Sequence, residues 1–164
     1  LSEQFAAHTV ERYYLGIGVG RPVKTPGVVR GDMERTRGGA WLLRRSTRNP
    51  AVTCFFSAGL GNGLRLFLLK PFTGKSHQLR VAMKSLGSPV LGAPLYKKPA
   101  PACPVPDRTY LHAWILAFKL GGVEHRYTCP PSAGSLFTSE PFQAAVEKWM
   151  EPWALPWPKT GQLP

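Results

Sequence analysis

Eight consecutive residues, Thr73-Gly74-Lys75-Ser76-His77-Gln78-Leu79-Arg80, bring a hydroxyl, an ammonium, an imidazole, a carboxamide and a guanidinium into one short segment. Such groups bind phosphate, hold a carboxylate in its charged form, or seat a proton at a reacting atom. Each also has an ordinary reading. Arg80 on a helix is a common surface ion-pair partner. Lys75 either contacts phosphate or starts a helix in solvent. His77 and Gln78 are equally consistent with hydrogen-bonded structural groups at a helix start. Upstream, Tyr14 is either a working aromatic or a plain strand aromatic, and Tyr13 beside it leaves the register open by one residue.

The elements that must carry these groups are legible from pattern. Leu1–His8 reads as the end of a helix, with Leu1 and Phe5 one turn apart. Arg12–Val19 reads as a strand. Val52–Ser57 and Leu64–Lys70 read as a strand pair joined by AGLGNG, which has the glycine and asparagine that hairpin turns need. LRLFLLK is mostly apolar and predicts a central strand. Ser76 is the expected cap of a helix over 76–86, with Leu79, Met83 and Leu86 at helical spacing and Gly87 as its stop. Arg80 and Lys84 lie off that apolar face. Residues 97–107 read as a proline-rich loop. Tyr110–Leu120 predicts an inner strand buried on both faces, with His112 as a core histidine, and 124–129 pairs with it across Gly121-Gly122. Phe142–Met150 predicts a short helix with Phe142, Val146 and Trp149 on one face. A Pro/Trp-rich tail over 151–164 follows the domain of 1–150.

Charge and composition narrow the function. With 21 Lys and Arg against 9 Asp and Glu, the net charge of +12 points to a polyanionic partner. The basic residues do not sit on one long amphipathic helix, which favours nucleic acid over membrane. The stretch 21–48 concentrates them: Arg35, Arg37, Arg44 and Arg45 stand among Arg21, Lys24, Arg30 and Arg48 as candidate phosphate contacts. No apolar run is long enough to cross a bilayer. Cys54, Cys103 and Cys129 form no CxxC pair and no zinc pattern with the four histidines, so reduced thiols in a cytoplasmic protein are expected and no metal is. The 17 Pro and 17 Gly argue against a helical bundle.

Several ordered motifs resemble the RluA-type pseudouridine synthase family. LLKPFTGKSHQLRV is similar to the family's strand followed by T-G-[RK]-[ST]-H-Q-[LI]-R, with Leu86-Gly87 matching the L-G after it. SPVLGAPLY resembles H-P-[IV]-x-G-D-x-L-Y, and DRTYLHAWILAF resembles R-L-[YF]-L-H-A-x-x-L-x-F. Phe5 followed by ERYYLGI resembles the F-x(n)-K-x-Y strand, which sets Arg12 at the lysine and Tyr14 at the tyrosine. The resemblance runs from Leu1 to about Met150. It implies an α/β, more narrowly α+β, fold of pseudouridine synthase catalytic-domain type, with a mixed, largely antiparallel sheet and flanking short helices. It also implies isomerisation of uridine in rRNA or tRNA, without cofactor, on a base flipped out of the RNA. By the same resemblance Tyr14 stacks on the base and Arg80 pairs with a catalytic aspartate. Lys75, His77, Gln78, Arg12, Arg35, Arg37, Arg44 and Arg45 are the expected RNA contacts.

The family's aspartate lies in an H-R-L-D motif that does not occur here. The two aspartates, Asp32 and Asp107, match no catalytic position. Lys75 replaces the commoner arginine, Ala82 stands where histidine is common, and Ala93 where the family has aspartate. Because Leu1 is not an initiator methionine and LSEQFAAH reads as the inside of a domain, the aspartate is expected upstream and this chain alone is expected to be inactive. The pocket holding Tyr14 and Arg80 is then expected to contain no acidic side chain. A monomer is expected. A non-catalytic RNA-binding protein on the same scaffold, or a basic ribonucleoprotein component, are the other classes left open.

Overall fold

A computed structural model describes residues 1–22, 25–96 and 105–164 of the chain. Lys24, Cys103 and most of the proline-rich loop expected over 97–107 lie outside the described residues. A helical turn, α1 (Ser2–Ala6), leads into β1 (Glu11–Val19). Then come β2 (Gly27–Gly31), β3 (Met33–Arg35), β4 (Trp41–Leu43), β5 (Ala51–Gly61) and β6 (Leu64–Pro71). Helix α2 (Gln78–Ser85) follows, then β7 (Leu111–Leu120), β8 (Val123–Thr128) and α3 (Glu140–Glu147).

Six strands make one sheet in the order β2-β5-β6-β1-β7-β8, while β3 and β4 form a separate hairpin. The expected largely antiparallel sheet is found, and every strand pairing among the described residues is antiparallel. Two hairpins close through adjacent positive-φ residues, Asn62-Gly63 (51° and 75°) and Gly121-Gly122 (57° and 79°). That geometry matches strand twist and explains the glycines.

β6 is central, and Leu66, Phe67, Leu68 and Leu69 are all fully buried because both faces of the sheet are covered there. One face packs Tyr13, Leu15 and Ile17 against Phe137, Phe142, Val146 and Trp149 of the α3 region. The other packs Phe67 and Leu69 against Val81, Ala82 and Met83 of α2. The burial expected for β7 on both faces is corrected. It lies inside the sheet, but Ala113 is exposed and Leu111, His112, Leu116 and Phe118 are only half-buried. Its outer neighbour β8 is an edge strand with nearly every residue exposed, so the cover thins toward that edge. His112 is accordingly half-buried, with Nε2 bonded to the Cys129 carbonyl at 2.7 Å.

Helix α2 also starts later than its sequence suggests. His77, not Ser76, stands at the N-cap, in left-handed conformation with φ 56°, and no side chain caps it. The end is as expected: Gly87 has φ 76°, its N–H donates to Lys84 O and Ser88 N–H donates to Met83 O. These two bonds satisfy the last carbonyls of the helix.

Glycines on β1 make room for Met83 of α2 and for the turn that follows the helix. Alternate residues share a strand face. A Cβ on Gly16 would meet Met83 Sδ at 2.8 Å, and one on Gly18 would meet the Ser88 carbonyl oxygen at 2.5 Å. On the opposite face the tail crosses the sheet. Trp153 lies under the Arg126 guanidinium of β8 at 3.7 Å, and Trp157 packs edge-on to Phe56 of β5 at 4.8 Å. Arg30 of β2 donates to the carbonyls of Thr160 and Gln162.

Gly18→Ala should therefore destabilise the fold by about 1–3 kcal/mol, since a backbone oxygen must move. Gly38→Ala, with open space around its Cβ position, should stay within about 0.5 kcal/mol of the parent. Urea denaturation midpoints of the two variants check this, and equal shifts would contradict it.

Candidate active site

The face of β1 that carries Gly16 and Gly18 begins with Arg12 and Tyr14. These two residues line a cavity of about 200 Å³ together with Thr73, Gly74, Lys75, His77, Arg80 and Leu111. The strand thus divides its labour: glycines admit Met83 and the turn after α2 at one end, and the side chains at the other end meet the residues that the helix start delivers.

The open register of Tyr13 and Tyr14 is resolved by a β-bulge. Tyr13 pairs with Ile115 but Tyr14 pairs with Ala113, so Trp114 has no opposite residue. The bulge lets Trp114 and Ile115 both enter the core beside Tyr13. Small, exposed Ala113 is left opposite Tyr14. Tyr13 is fully buried, and its hydroxyl donates to Glu11 at 3.1 Å and accepts from Lys70 Nζ at 3.2 Å. Burial first, then the Glu11 charge, push the Tyr13 hydroxyl well above the ordinary phenol range. Lys70 itself bridges to Glu11 at 2.6 Å and pins β6 to β1 behind the cavity.

Gln78 builds the turn in front of it. Its side chain is buried, and its amide oxygen accepts from Thr73 Oγ1 (2.8 Å) and from the Lys75 N–H (3.0 Å). Its amide nitrogen donates to Val52 O (3.1 Å) and Thr53 Oγ1 (3.0 Å). Thr73 Oγ1 in turn accepts from the Val52 N–H. Every donor and acceptor of Gln78 is spent inside the protein, so it fixes the Thr73–Lys75 turn to β5.

The remaining polar groups reach the cavity. Arg12 donates from Nη2 to the Thr73 carbonyl at 3.1 Å, and its guanidinium lies 5.7 Å from the Phe5 ring centroid. Lys75 Nζ donates to Asn49 Oδ1 at 2.7 Å. His77 Nδ1 lies 3.0 Å from the Tyr96 hydroxyl. Arg80 is half-buried, one wall of this cavity and of a neighbouring one of about 530 Å³, and forms no ion pair among the described residues.

No acidic side chain lines the Tyr14–Arg80 cavity among the described residues. Asp32 accepts from the backbone N–H groups of Arg48 and Asn49. Asp107 lines the neighbouring cavity, but its carboxylate is engaged by the Tyr110 hydroxyl and by the Ser135 N–H at 2.8 Å. The Tyr110 bond, then that of Ser135, hold Asp107 below the usual carboxylate range. No group of three or more His, Cys, Asp or Glu is placed to hold a metal ion among the described residues.

Of the basic stretch, Arg35, Arg37, Arg44 and Arg45 lie on and after the β3–β4 hairpin, whose Trp41 and Leu43 pack on the α2 side of the sheet. Arg35, Arg37 and Arg45 are exposed. Arg44 is exposed too but bound to Glu34 at 2.6 Å, which leaves it less positive field to offer. Sequence reasoning missed Gly16, Gly18, Lys70 and Tyr96 as parts that hold the site. Two glycines alternating with bulky residues in a strand were a readable signal for close backbone approach.

No protein-family model matches the chain. It is 47% identical over 136 residues to a protein of Haemophilus influenzae described as an uncharacterized RNA pseudouridine synthase, covering 83% of this chain and 59% of that one. It is 32% identical over 130 residues to ribosomal large subunit pseudouridine synthase C of Rickettsia bellii, covering 76% of this chain and 43% of the relative. Over 50 residues it is 54% identical to the dual-specificity RNA pseudouridine synthase RluA of Vibrio cholerae, covering 30% of this chain and 20% of that one. Among solved structures, human RNA pseudouridylate synthase domain containing 1 matches the fold with a TM-score of 0.68 at 22% identity, over 96% of this chain and 71% of the other. The chain thus spans little more than half of the Haemophilus relative and less than half of the Rickettsia one.

Two outcomes follow from the site's construction. Gln78→Met keeps the volume but strands the hydrogen-bonding groups of Thr73, Lys75, Val52 and Thr53, and should cost about 2–4 kcal/mol in chemical denaturation. An unchanged midpoint would mean water replaces the amide. The stability due to the depressed Asp107 should be fully present above the ordinary carboxylate pKa and lost as pH falls through the lower folded value. Asp107→Asn should therefore flatten the acid limb of the stability profile, and an identical limb would contradict this.

Proposed function

We propose a function from one premise: the chain belongs to the RluA-type RNA pseudouridine synthase family. The complete protein is an isomerase that converts uridine to pseudouridine in rRNA or tRNA, and this chain supplies the wall of its uridine pocket. The observation that carries the reading is the meeting of Tyr14 and Arg80 in one cavity, although they lie on different elements and far apart in sequence. The ribosomal substrate is supported by the name of the Rickettsia relative.

The chemistry assigns each group a task. The uridine N1–C1′ bond breaks, the base turns, and C5 bonds to C1′ while its proton is lost and N1 regains one. Atoms and charge balance without an oxidant or a metal. Tyr14 offers an aromatic face to the extruded base and a hydroxyl near its C5 proton. Arg80, unpaired among the described residues, offers its guanidinium to a carboxylate at the sugar, supplied by a segment upstream of this chain. Such a pair keeps that carboxylate charged in a poorly solvated pocket. Lys75, His77 and Arg12 border the cavity, and Arg35, Arg37 and Arg45 extend the positive field along the hairpin for the RNA backbone.

A second reading is a scaffold that holds RNA without turning it over. The cation-lined cavity with no carboxylate among the described residues favours that reading for this chain alone.

One measurement tests the RNA binding that both readings share, and two separate them. RNA affinity should fall steeply with salt. The protein extended upstream should form pseudouridine while this chain alone does not. In the extended protein Arg80→Ala should abolish turnover and change RNA affinity much less. Equal losses would make Arg80 a phosphate contact. An extended protein that binds RNA and never isomerises uridine would favour the scaffold.

A further inference from the structure

Tyr96 lies outside the cavity yet touches what frames it. It sits in a short 3₁₀ turn over Pro94–Tyr96 and is only 2% exposed. Its ring packs into the α2 core, edge-on to the His77 ring at 5.8 Å and beneath Lys84 Nζ at 5.6 Å. Its hydroxyl makes two bonds. It accepts from the backbone N–H of Trp41 on the β3–β4 hairpin at 3.0 Å, and it meets His77 Nδ1 at 3.0 Å.

The two bonds leave the hydroxyl hydrogen one outlet. With the Trp41 N–H on one lone pair, the oxygen could still accept from an Nδ1–H, but its own hydrogen would then be buried with no acceptor among the described residues. Donation to His77 Nδ1 satisfies it, and the imidazole then carries its own proton on Nε2. His77 is a cavity residue and stands at the N-cap of α2. One buried oxygen therefore fixes the tautomer of a cavity imidazole and also fastens the hairpin bearing Arg35 and Arg37.

We propose that Tyr96 is a positioning residue, which locks the His77 imidazole in its Nε2–H form at the cavity and ties the basic hairpin to it, so that RNA gripped by the hairpin is held in register with the pocket. The last part rests on the proposed function; the first two do not.

Tyr96→Phe removes one oxygen and leaves the ring in the core. Imidazole nitrogen spectra of the wild-type chain should show His77 as the Nε2–H tautomer, and Tyr96→Phe should mix the two tautomers. Trp41 amide exchange should become about tenfold faster in the variant while the amides of β6 stay as they were. RNA affinity should fall about five- to tenfold with an unchanged salt slope, because the arginine contacts are still available. Tyr96→Trp, which retains a donor at the wrong place, should not rescue any of these. A wild-type Nδ1–H tautomer overturns the proposal, and decides alone if Tyr96→Phe fails to fold. So does an unchanged Trp41 amide together with an unchanged tautomer in the variant. If the wild-type protein binds no RNA, the functional reading fails, while the spectra and exchange rates still decide the role of Tyr96.

Discussion

The bare glycine face of β1 is the constraint from which the rest of the site follows. A Cβ at Gly18 would meet the carbonyl oxygen of Ser88, in the turn that follows α2, at 2.5 Å, and one at Gly16 would meet the Met83 side chain of α2. That surface seats Met83 and the turn after the helix, and the strand's other two residues on the same face, Arg12 and Tyr14, line the cavity with the residues of the helix start. A side chain at Gly18 would push the turn off the sheet. The cavity is thus a by-product of packing: it exists where the side chains resume after a stretch that has none.

Polar bonds then secure what packing brings near. The carboxamide of Gln78 has four partners and is the only polar group of α2 driven into the core, where an unsatisfied amide would be costly. It anchors the Thr73–Lys75 turn to β5, and the same turn receives Arg12 through the Thr73 carbonyl. On the far side of the sheet the Lys70–Glu11 pair holds β6 and β1 in register, next to the buried Tyr13. The β-bulge at Trp114 completes the arrangement by sending two bulky residues into one core and leaving only Ala113 across from Tyr14.

Much of this was legible in the sequence, because the signals were local. The central β6 announced itself by an unbroken apolar run, the hairpins by Asn-Gly and Gly-Gly, and the end of α2 by Gly87. The start of α2 differs from the pattern because the chain turns through the left-handed backbone of His77, a conformation that no local residue signals, and no side chain caps the helix. The burial of β7 was overestimated because pattern alone cannot tell a strand beside an edge from one in the middle. The meeting of Tyr14 with Arg80 was inferred from resemblance, whereas Tyr96 stood at the end of SPVLGAPLY with its role hidden, because its partners lie 55 and 19 residues away.

If the cavity between Tyr14 and Arg80 receives the flipped uridine as proposed, a structure of the protein extended upstream and bound to RNA will show it. The extruded base should lie against the Tyr14 ring, with the Arg80 guanidinium on a carboxylate beside the sugar. A base seated elsewhere, or Arg80 resting on a phosphate with no carboxylate in reach, would contradict it.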